Sequence, residues 1–313
     1  MESNAQGNPS VAIEGRVKKE KPKKKKRRFQ LTPYLLLIPI IIFAIGFIYY
    51  PFIQTALYSV SKVNARGEIV GEVGAAGFSN FAYLFGRKDF GIALTNSIKL
   101  TLMTVPITLI IVVVLALLAN NKRKLSPIYE TLFTLPMAVS LSAKALIFRV
   151  MFHPTVGIVN YALGLDYGWF FSENTALIGI MILLVWMGIS FNFLLMLSAF
   201  RGIPDQLIES AKIDGAGYFK RLFRIQLPLV SPTIFYVLCT DMVLAMLTSA
   251  PIIILTNGGP MYSTTTLIYM MFSSGYGSSS YSLAACISLV AFALTFAAMI
   301  VAFRFERKKV HYQ

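Results

Sequence analysis

The sequence predicts an all-α, polytopic membrane protein with six transmembrane helices and both termini in the cytoplasm. Hydrophobic residues make up 56% of the 313 residues and charged residues only 14%, whereas soluble domains carry roughly a quarter charged residues. The apolar residues stand in long blocks, several of which exceed the ~20 residues that a helix needs to cross a bilayer. The basic residues are concentrated in alternate connections between these blocks, which is the pattern of a multi-pass membrane protein.

Six apolar blocks are long enough to span a membrane as helices. Their approximate bounds are 34–58, 93–119, 128–152, 176–199, 231–255 and 282–303. The apolar stretch Leu267–Phe272 is too short to span, so we expect a loop, a short interfacial helix or the start of a re-entrant segment there. Together the blocks predict one transmembrane domain over residues 31–310.

Lysine and arginine residues predict the orientation, because short cytoplasmic loops are richer in them than outer loops. The connections after the second, fourth and sixth blocks are basic, whereas loops 153–175 and 256–280 contain neither residue type. Loop 59–92 carries both signs of charge. Both termini are therefore expected in the cytoplasm, and these three loops outside it.

Residues 1–30 form a basic tail with ten lysine and arginine residues against three glutamates. We predict a disordered cytoplasmic segment that either anchors at anionic lipid or contacts a cytoplasmic partner. The tail and the basic loops account for the net charge of +15. Because no base-stacking motif accompanies the basic run, nucleic acid is not an expected partner.

The residue types argue against catalytic, redox and metal chemistry. Cys239 and Cys286 both lie inside apolar blocks, and the two histidines, His153 and His311, cannot build a metal cluster with them. No nucleophile–base set is visible. The chain also lacks the Gly-x-x-x-x-Gly-Lys-Ser/Thr loop that cradles ATP phosphates. We therefore predict a protein that is not an enzyme and binds no cofactor directly.

The connection 200–228 is the most structured soluble segment of the sequence. Pro204 and Asp205 are typical of the first turn of a helix, and a second short helix is expected further on. Between the two helices, Gly215 and Gly217 permit a sharp reversal because glycine tolerates positive φ. Two short exposed helices at an angle are suited to dock another protein, although an ordinary interfacial loop is the alternative.

This connection resembles the EAA loop of ABC importer permeases, whose pattern is Glu-Ala-Ala, three residues, Gly, nine residues, Ile, one residue, Leu-Pro. The chain meets both spacings, and Ser210 in place of the middle alanine is the one departure. The resemblance implies the type I ABC importer permease fold and a loop that docks a separate ATPase. Glu209 would pair there with a basic residue, and Ala211 and Gly215 would allow close approach. The residues assigned to ATPase coupling are Glu209, Ser210, Ala211, Asp214, Gly215, Ile225, Leu227 and Pro228.

Three further segments look like the carbohydrate branch of these permeases, and specifically like the first permease subunit of maltose and glycerol-phosphate type transporters. They are Leu255–Pro260, Thr264–Tyr269 and Tyr281–Ala285. The resemblance implies a multi-pass subunit in the plasma membrane of a bacterium or an archaeon. Its implied partners are a homologous second permease, two ATP-binding subunits that use the ATP, an extracytoplasmic solute-binding protein and a sugar.

The resemblance leaves the substrate open. A di- or oligosaccharide is the main expectation, and a sugar phosphate or polyol is the alternative. A secondary transporter driven by an ion gradient is a rival of another class. It would predict internal inverted repeats and broken helices at matching positions, and no convincing repeat is visible in the sequence.

Polar residues inside the apolar blocks indicate where a solute could pass. Asp241 is the clearest case, since a carboxylate within a span costs several kcal/mol unless it faces a cavity or a partner. The resemblance implies that two helix faces with the spacing i, i+4, i+7 line the sugar pocket. Those faces are Asp241, Ala245 and Thr248 in the fifth block, and Leu184, Gly188 and Phe191 in the fourth.

Asp241 also has a structural interpretation. It could form an ion pair with Lys144 or Arg149 of the third block and so fix helix packing. Trp186 and Asn192 either flank the pocket or serve only in packing.

Overall fold

The computed structural model describes residues 32–120 and 126–309, most of which are helical. Within these ranges the β-pairing is a single antiparallel bridge between Val63 and Ile69. The all-α fold class is therefore confirmed. The basic tail predicted at residues 1–30 lies outside the described residues.

Fifteen α-helices follow one another in the described ranges. They are α1 (Thr32–Ala44), α2 (Tyr50–Val60), α3 (Ser79–Phe85), α4 (Lys88–Asn120), α5 (Ser126–Thr134), α6 (Leu141–Met151), α7 (Ile158–Leu163), α8 (Ala176–Arg201), α9 (Asp205–Ile213), α10 (Tyr218–Arg221), α11 (Leu227–Leu229), α12 (Ser231–Met246), α13 (Ala250–Leu255), α14 (Leu267–Phe272) and α15 (Tyr281–Lys309). A 3-10 turn covers Leu135–Ala138, and π-helical turns cover Ile45–Tyr49, Leu222–Gln226 and Ser273–Gly277.

The chain divides between Tyr49 and Tyr50 into two compact units. In the first unit, the side chains from Leu35 to Tyr49 are exposed except for the half-buried Ala44. Nearly all of them are apolar on every side of the helix, a composition that suits lipid rather than water. The second unit contains helices α2 to α15.

Four helical segments are long and apolar enough to cross a membrane: Leu35–Val60, Lys88–Asn120, Ala176–Arg201 and Tyr281–Glu306. Two further spans arise if each bent helix pair counts as one. The described chain therefore has four to six candidate spans, which agrees with a multi-pass membrane protein.

The predicted span 128–152 is two helices in the structure. The helix axis bends by 108° between the segments Glu130–Ala138 and Leu141–Met151. Between them Val139 is extended, and the side chain of Ser140 accepts a hydrogen bond from the amide of Ala143 and so caps α6. The apolar block is continuous across this bend, and hydropathy carries no information on helix direction, so the sequence indicated a single span.

The predicted span 231–255 is interrupted as well. Helix α12 ends at Met246, and α13 begins at Ala250 with Pro251 in its first turn. Proline lacks the amide hydrogen that a continuing helix needs, so it stands where a new helix begins. At the break, the hydroxyl of Thr266 donates a hydrogen bond to the carbonyl of Thr248 at 3.2 Å.

Two of the three apolar cores in the described part of the second unit share helices α4 and α8. The first core consists of Leu100, Ala145, Phe148, Phe152, Phe170, Ile180, Leu183, Ile252 and Leu255. The second core consists of Val112, Ala116, Ala119, Phe193, Met196, Leu197, Phe200, Val230 and Val237. On α8 the buried residues of the first core end at Leu183 and those of the second begin at Phe193, and the residues between them that pack on either core are only partly buried.

Gly179 of α8 provides a test of how tightly the first core is packed. A Cβ atom at Gly179 would lie 2.6 Å from Cε1 of Phe170. Gly179→Ala is therefore expected to lower the thermal unfolding temperature in detergent, since overpacking a core costs about 1–3 kcal/mol. Gly91→Ala in α4, where a Cβ would meet nothing within 4 Å, is the matched control. It should be neutral or stabilising, because alanine favours a helix over glycine. Equal unfolding temperatures for the two variants would contradict the packing.

Candidate functional site

A cavity of about 370 Å³ lies between the two cores, at the place where α4, α8, α12 and the start of α13 meet. Its volume lies within the range typical of small-molecule sites. The structure brings all six residues of the predicted pathway to this cavity. The lining residues are Thr104, Thr108, Leu141, Leu184, Met187, Gly188, Phe191, Asn192, Asp241, Leu244, Ala245, Leu247, Thr248, Ser249, Ala250 and Pro251.

Helix α8 forms one wall of this cavity through the spacing seen in the sequence. Leu184, Gly188 and Phe191 share a face, and the Phe191 side chain is 48% exposed at the cavity. A Cβ at Gly188 would lie 3.0 Å from Cγ2 of Thr108 on α4. Glycine at this position therefore allows α8 to approach α4 closely.

The Asp241 carboxylate is held by Asn192 on the neighbouring helix. The Asn192 amide nitrogen donates to both Asp241 oxygens at 2.8 Å. Both side chains are largely buried, at 4% exposure for Asn192 and 9% for Asp241. Burial of a carboxylate requires such donors, since an unsatisfied charge in an apolar region is costly. The pair connects α8 to α12 directly at the cavity.

The ion pair proposed between Asp241 and Lys144 or Arg149 is not present. In the described part of the chain, the ion pairs are Arg87–Asp89 and Arg201–Glu130, and neither involves Asp241. The structural interpretation of Asp241 was therefore wrong about the partner. Asn192, which the sequence left between a pocket role and a packing role, both lines the cavity and partners Asp241.

Sequence reasoning missed the contribution of α4 to the cavity. The hydroxyl of Thr108 donates to the Thr104 carbonyl at 2.9 Å. The Thr104 hydroxyl is buried and has no hydrogen-bond partner among the described residues. The two threonines stand four residues apart on one face of an otherwise apolar span. The helical spacing that identified the faces of α8 and α12 could have identified this third wall as well.

The connection between α8 and α12 has the two-helix form expected from its sequence. Helix α9 ends at Ile213, and Gly215 then adopts φ of +74°. Gly217 has an ordinary negative φ, so only the first of the two glycines makes the reversal. Helix α10, a π-helical turn and α11 follow before α12 begins.

Ala211 is less exposed than the resemblance implied, which expected it at the surface that a partner approaches. Ala211 is buried at 7% exposure, and its carbonyl accepts a hydrogen bond from the Ala216 amide at 2.9 Å. It therefore packs inside the chain and is not available for close approach to a partner. The remaining assigned residues are accessible to different degrees: Glu209, Ser210, Asp214 and Gly215 are exposed, and Ile225, Leu227 and Pro228 are half-buried.

Large apolar side chains stand exposed on the same connection. Ile213 is 87% exposed and Phe219 is 71% exposed. Tyr218 and Phe223 are also exposed. The sequence analysis did not select these four residues, because their exposure depends on how the two short helices pack. An exposed cluster of this kind is typical of a protein interaction surface.

The loop 256–266 is pinned to α4 by side chains. The Asn96 amide nitrogen donates to the carbonyls of Tyr262 and Thr265 at 3.0 Å. Buried threonines complete the network, and the Tyr269 hydroxyl donates to the Asn257 carbonyl at 2.6 Å. Burial raises the pKa of the Tyr269 phenol, which keeps the hydroxyl protonated as a donor. This network explains why polar residues recur in segments 255–260 and 264–269.

Comparisons of the chain with known proteins agree on one family. The sequence profile described as "Binding-protein-dependent transport system inner membrane component" matches residues 82–311. A relative from Yersinia pestis bv. Antiqua, named sn-glycerol-3-phosphate transport system permease protein UgpA, is 34% identical over 90% of this chain and 96% of the relative. A relative of the same name from Pectobacterium atrosepticum is 33% identical over 91% of this chain and 97% of the relative.

Solved structures share the fold at lower identity. A chain from the crystal structure of a bacterial alginate ABC transporter, in complex with an alginate pentasaccharide-bound periplasmic protein, superposes with a TM-score of 0.78 at 22% identity. The match covers 90% of this chain and 96% of that one. A second structure, of a bacterial ABC transporter involved in the import of the acidic polysaccharide alginate, gives a TM-score of 0.75 at 22% identity, over 88% of this chain and 95% of the other.

The Asn192–Asp241 pair can be tested by exchange. Asn192→Leu should lower the unfolding temperature in detergent, because a buried polar group without its partner costs about 1–3 kcal/mol. The single variants Asn192→Asp and Asp241→Asn should each lower it too. The double variant that combines them retains an amide–carboxylate pair with its ends reversed, so it should recover most of that loss. If the double variant instead loses the sum of the two single effects, the pair is not coupled in the way the distances indicate.

Proposed function

Because the chain belongs to the family of binding-protein-dependent transport system inner membrane components, we propose that it is one permease subunit of an ATP-driven importer of sugars. It would form half of the translocation pathway beside a homologous second permease. ATP would be bound and hydrolysed by two separate ATP-binding subunits. An extracytoplasmic solute-binding protein would deliver the sugar.

The observation that carries this proposal is a largely apolar cavity between long apolar helices, with a few polar groups in its wall. A sugar presents hydroxyl groups at its edges and C–H groups on its faces. Carboxylate, amide and hydroxyl groups of Asp241, Asn192 and Thr248 can exchange hydrogen bonds with hydroxyls. The exposed ring of Phe191 can stack on a sugar face. A mostly apolar wall with a few polar groups is typical of small-molecule sites.

The connection between α8 and α12 is suited to transmit movement of an ATPase to the cavity. Both helices contribute cavity residues, and both flank the connection directly along the chain. The second core joins them through Phe200 of α8 and Val230 at the entry to α12. A partner that displaced the connection would therefore act on both cavity walls.

Glu209 is the charged group of that connection best placed for a partner. Its side chain is exposed and forms no ion pair within the part of the chain that the structure describes. The exposed apolar residues Ile213 and Phe219 lie on the same connection. Apolar and aromatic anchors with polar groups at their rim are the usual composition of a protein–protein interface.

The orientation proposed from the basic loops completes this arrangement. Both termini and the connection 200–228 would lie in the cytoplasm, and loops 59–92, 153–175 and 256–280 would meet the solute-binding protein outside. The relatives compared above are bacterial, which supports the plasma membrane of a bacterium as the location. Family membership also argues against the rival secondary transporter.

Two types of solute are candidates for the transported substrate. A di- or oligosaccharide is the main proposal, and the alginate transporters with the same fold provide an example of a carbohydrate cargo. A sugar phosphate or polyol is the second candidate, which the names of the glycerol-3-phosphate permeases favour. Transport across a panel of both solute types would distinguish them.

Charge reversal at Glu209 tests the docking of the ATPase. Glu209→Lys should reduce ATP-dependent uptake by the reconstituted transporter by about tenfold or more, since a disrupted interface charge pair costs roughly 2–5 kcal/mol. Glu72→Lys, a reversal at an exposed glutamate of loop 59–92, is the matched control and should transport normally. Membrane insertion is checked by the yield of folded protein. Normal uptake by Glu209→Lys would argue against docking through this connection.

A further inference from the structure

Thr266, at the end of loop 256–266, is hydrogen-bonded to the wall of the central cavity. Its hydroxyl donates to the carbonyl of Thr248 at 3.2 Å, and it accepts from the amide of Tyr269 at 3.3 Å, which caps α14. The residue is only 1% exposed. Buried polar groups are normally paired in this way, and here the pairing joins a loop to a membrane-spanning segment.

Thr248 lies in the interruption between α12 and α13, where the regular helical hydrogen bonds stop. Before it, the Thr248 amide donates to the Ala245 carbonyl at 3.3 Å, and after it the Ile253 amide donates to the Ser249 carbonyl at 2.9 Å. The Thr248 carbonyl falls between these two bonds and takes the Thr266 hydroxyl as its donor. Hinges form at such ends of helices, so this hydrogen bond holds the point at which the span is best able to bend.

The same interruption forms part of the cavity wall. Leu247, Thr248 and Ser249 all line the central cavity. The Thr248 hydroxyl donates to the Leu244 carbonyl at 2.8 Å, which leaves its oxygen lone pairs to accept a hydrogen bond from a solute. A shift of the backbone at Thr248 would therefore change the cavity at a place where the proposed sugar is bound.

The loop that ends at Thr266 is fixed to α4 by buried hydrogen bonds. Before Thr266, the Asn96 amide nitrogen donates to the Tyr262 carbonyl at 3.0 Å. After it, the Ser97 hydroxyl accepts from the Leu267 amide at 2.9 Å. Asn96 and Ser97 are 7% and 2% exposed. A displacement of the loop is therefore passed on to Thr266 rather than absorbed between them.

The tip of this loop presents two exposed side chains. Met261 is 75% exposed and Tyr262 is 54% exposed, and their φ angles are +45° and +62°. Residues other than glycine keep such angles only where the surrounding structure holds them. Met261 and Tyr262 also line a cavity of about 740 Å³ with Arg87 and Asp89 of loop 59–92. Because methionine and tyrosine are enriched in protein interfaces, this fixed tip is suited to a protein partner.

We propose that the Thr266 hydroxyl is the contact through which a solute-binding protein docked on loop 256–266 acts on the central cavity. Thr266 is a positioning residue, since it is not among the residues that line the cavity and acts through the backbone of Thr248. While the hydrogen bond is made, the position of the loop determines the position of the cavity wall. The inference rests on the proposed import by way of a binding protein, and it adds the contact that couples the two.

The test measures how far the binding protein stimulates ATP hydrolysis by the complete reconstituted transporter. Hydrolysis is measured without the binding protein and with it, loaded with whichever of glycerol 3-phosphate, a neutral disaccharide and a diuronate the transporter imports. The ratio of the two rates is the stimulation. Thr266→Val removes the hydroxyl at similar volume, and Thr266→Ser retains it. Thr101→Val is the matched control, since Thr101 is a buried threonine whose hydroxyl donates to the Ser97 carbonyl within its own helix.

The wild-type transporter should hydrolyse ATP faster with the loaded binding protein. Thr266→Val should leave the rate without binding protein unchanged and reduce the stimulation by about fivefold, the change that the loss of one neutral hydrogen bond makes to an equilibrium. Thr266→Ser and Thr101→Val should stay close to wild type. If Thr266→Val does not assemble, Thr266→Cys serves instead, because a thiol of similar size is a weaker donor, and a partial loss of stimulation is expected.

Four results would overturn the inference and leave the proposed importer intact. The first is wild-type stimulation in Thr266→Val, and the second is a loss in Thr266→Ser or Thr101→Val as large as in Thr266→Val. The third is an equal loss of the rates with and without binding protein, which a purely structural role predicts. The fourth is import by a wild-type transporter whose hydrolysis the binding protein does not change. If none of the solutes is imported with ATP, the proposed function fails and the inference fails with it.

Discussion

The buried hydrogen bonds between Asn192 and Asp241 are the interaction on which the arrangement of the membrane helices depends. A carboxylate inside apolar helices requires donors, and one amide group supplies both hydrogen bonds at 2.8 Å. The pair joins α8 to α12 beside Phe193 and one turn from Val237 of the second core. Both partners line the central cavity, so the polar contact that ties the two helices together also faces the candidate passage.

The same two helices give the cavity its connection to the rest of the molecule. Toward one end, α8 and α12 lead into the connection 200–228, whose exposed apolar and acidic residues are suited to a partner. Toward the other end, the breaks before α6 and before α13 introduce short helices that adjoin the cavity. Discontinuous helices inside a membrane are tolerated where they line a cavity. The proposed docking surface and the proposed passage therefore lie on one continuous set of helices.

The sequence predicted the fold class and much of the site, for physical reasons. Long apolar blocks identify spans because lipid requires them, and helical spacing was enough to bring Leu184 and Asp241 to one cavity. Hydropathy does not report backbone conformation, so the bend at Ser140 was not predicted. Burial within a loop depends on tertiary packing, so Ala211 was expected at a surface that it does not reach. The partner of Asp241 was wrong because charge complementarity favoured a lysine over the amide that packing supplies.

The central claim is that the cavity between the two cores is the passage, opened to one side at a time by the ATPase. Thr248→Cys tests it directly, since Thr248 lines the cavity and the native Cys239 and Cys286 are buried. A membrane-impermeant thiol reagent is applied from either side of vesicles containing the whole transporter, with and without ATP. The account predicts labelling from one side in each state, with the side changed by ATP. A cysteine that labels from neither side in either state, or equally from both, would contradict it.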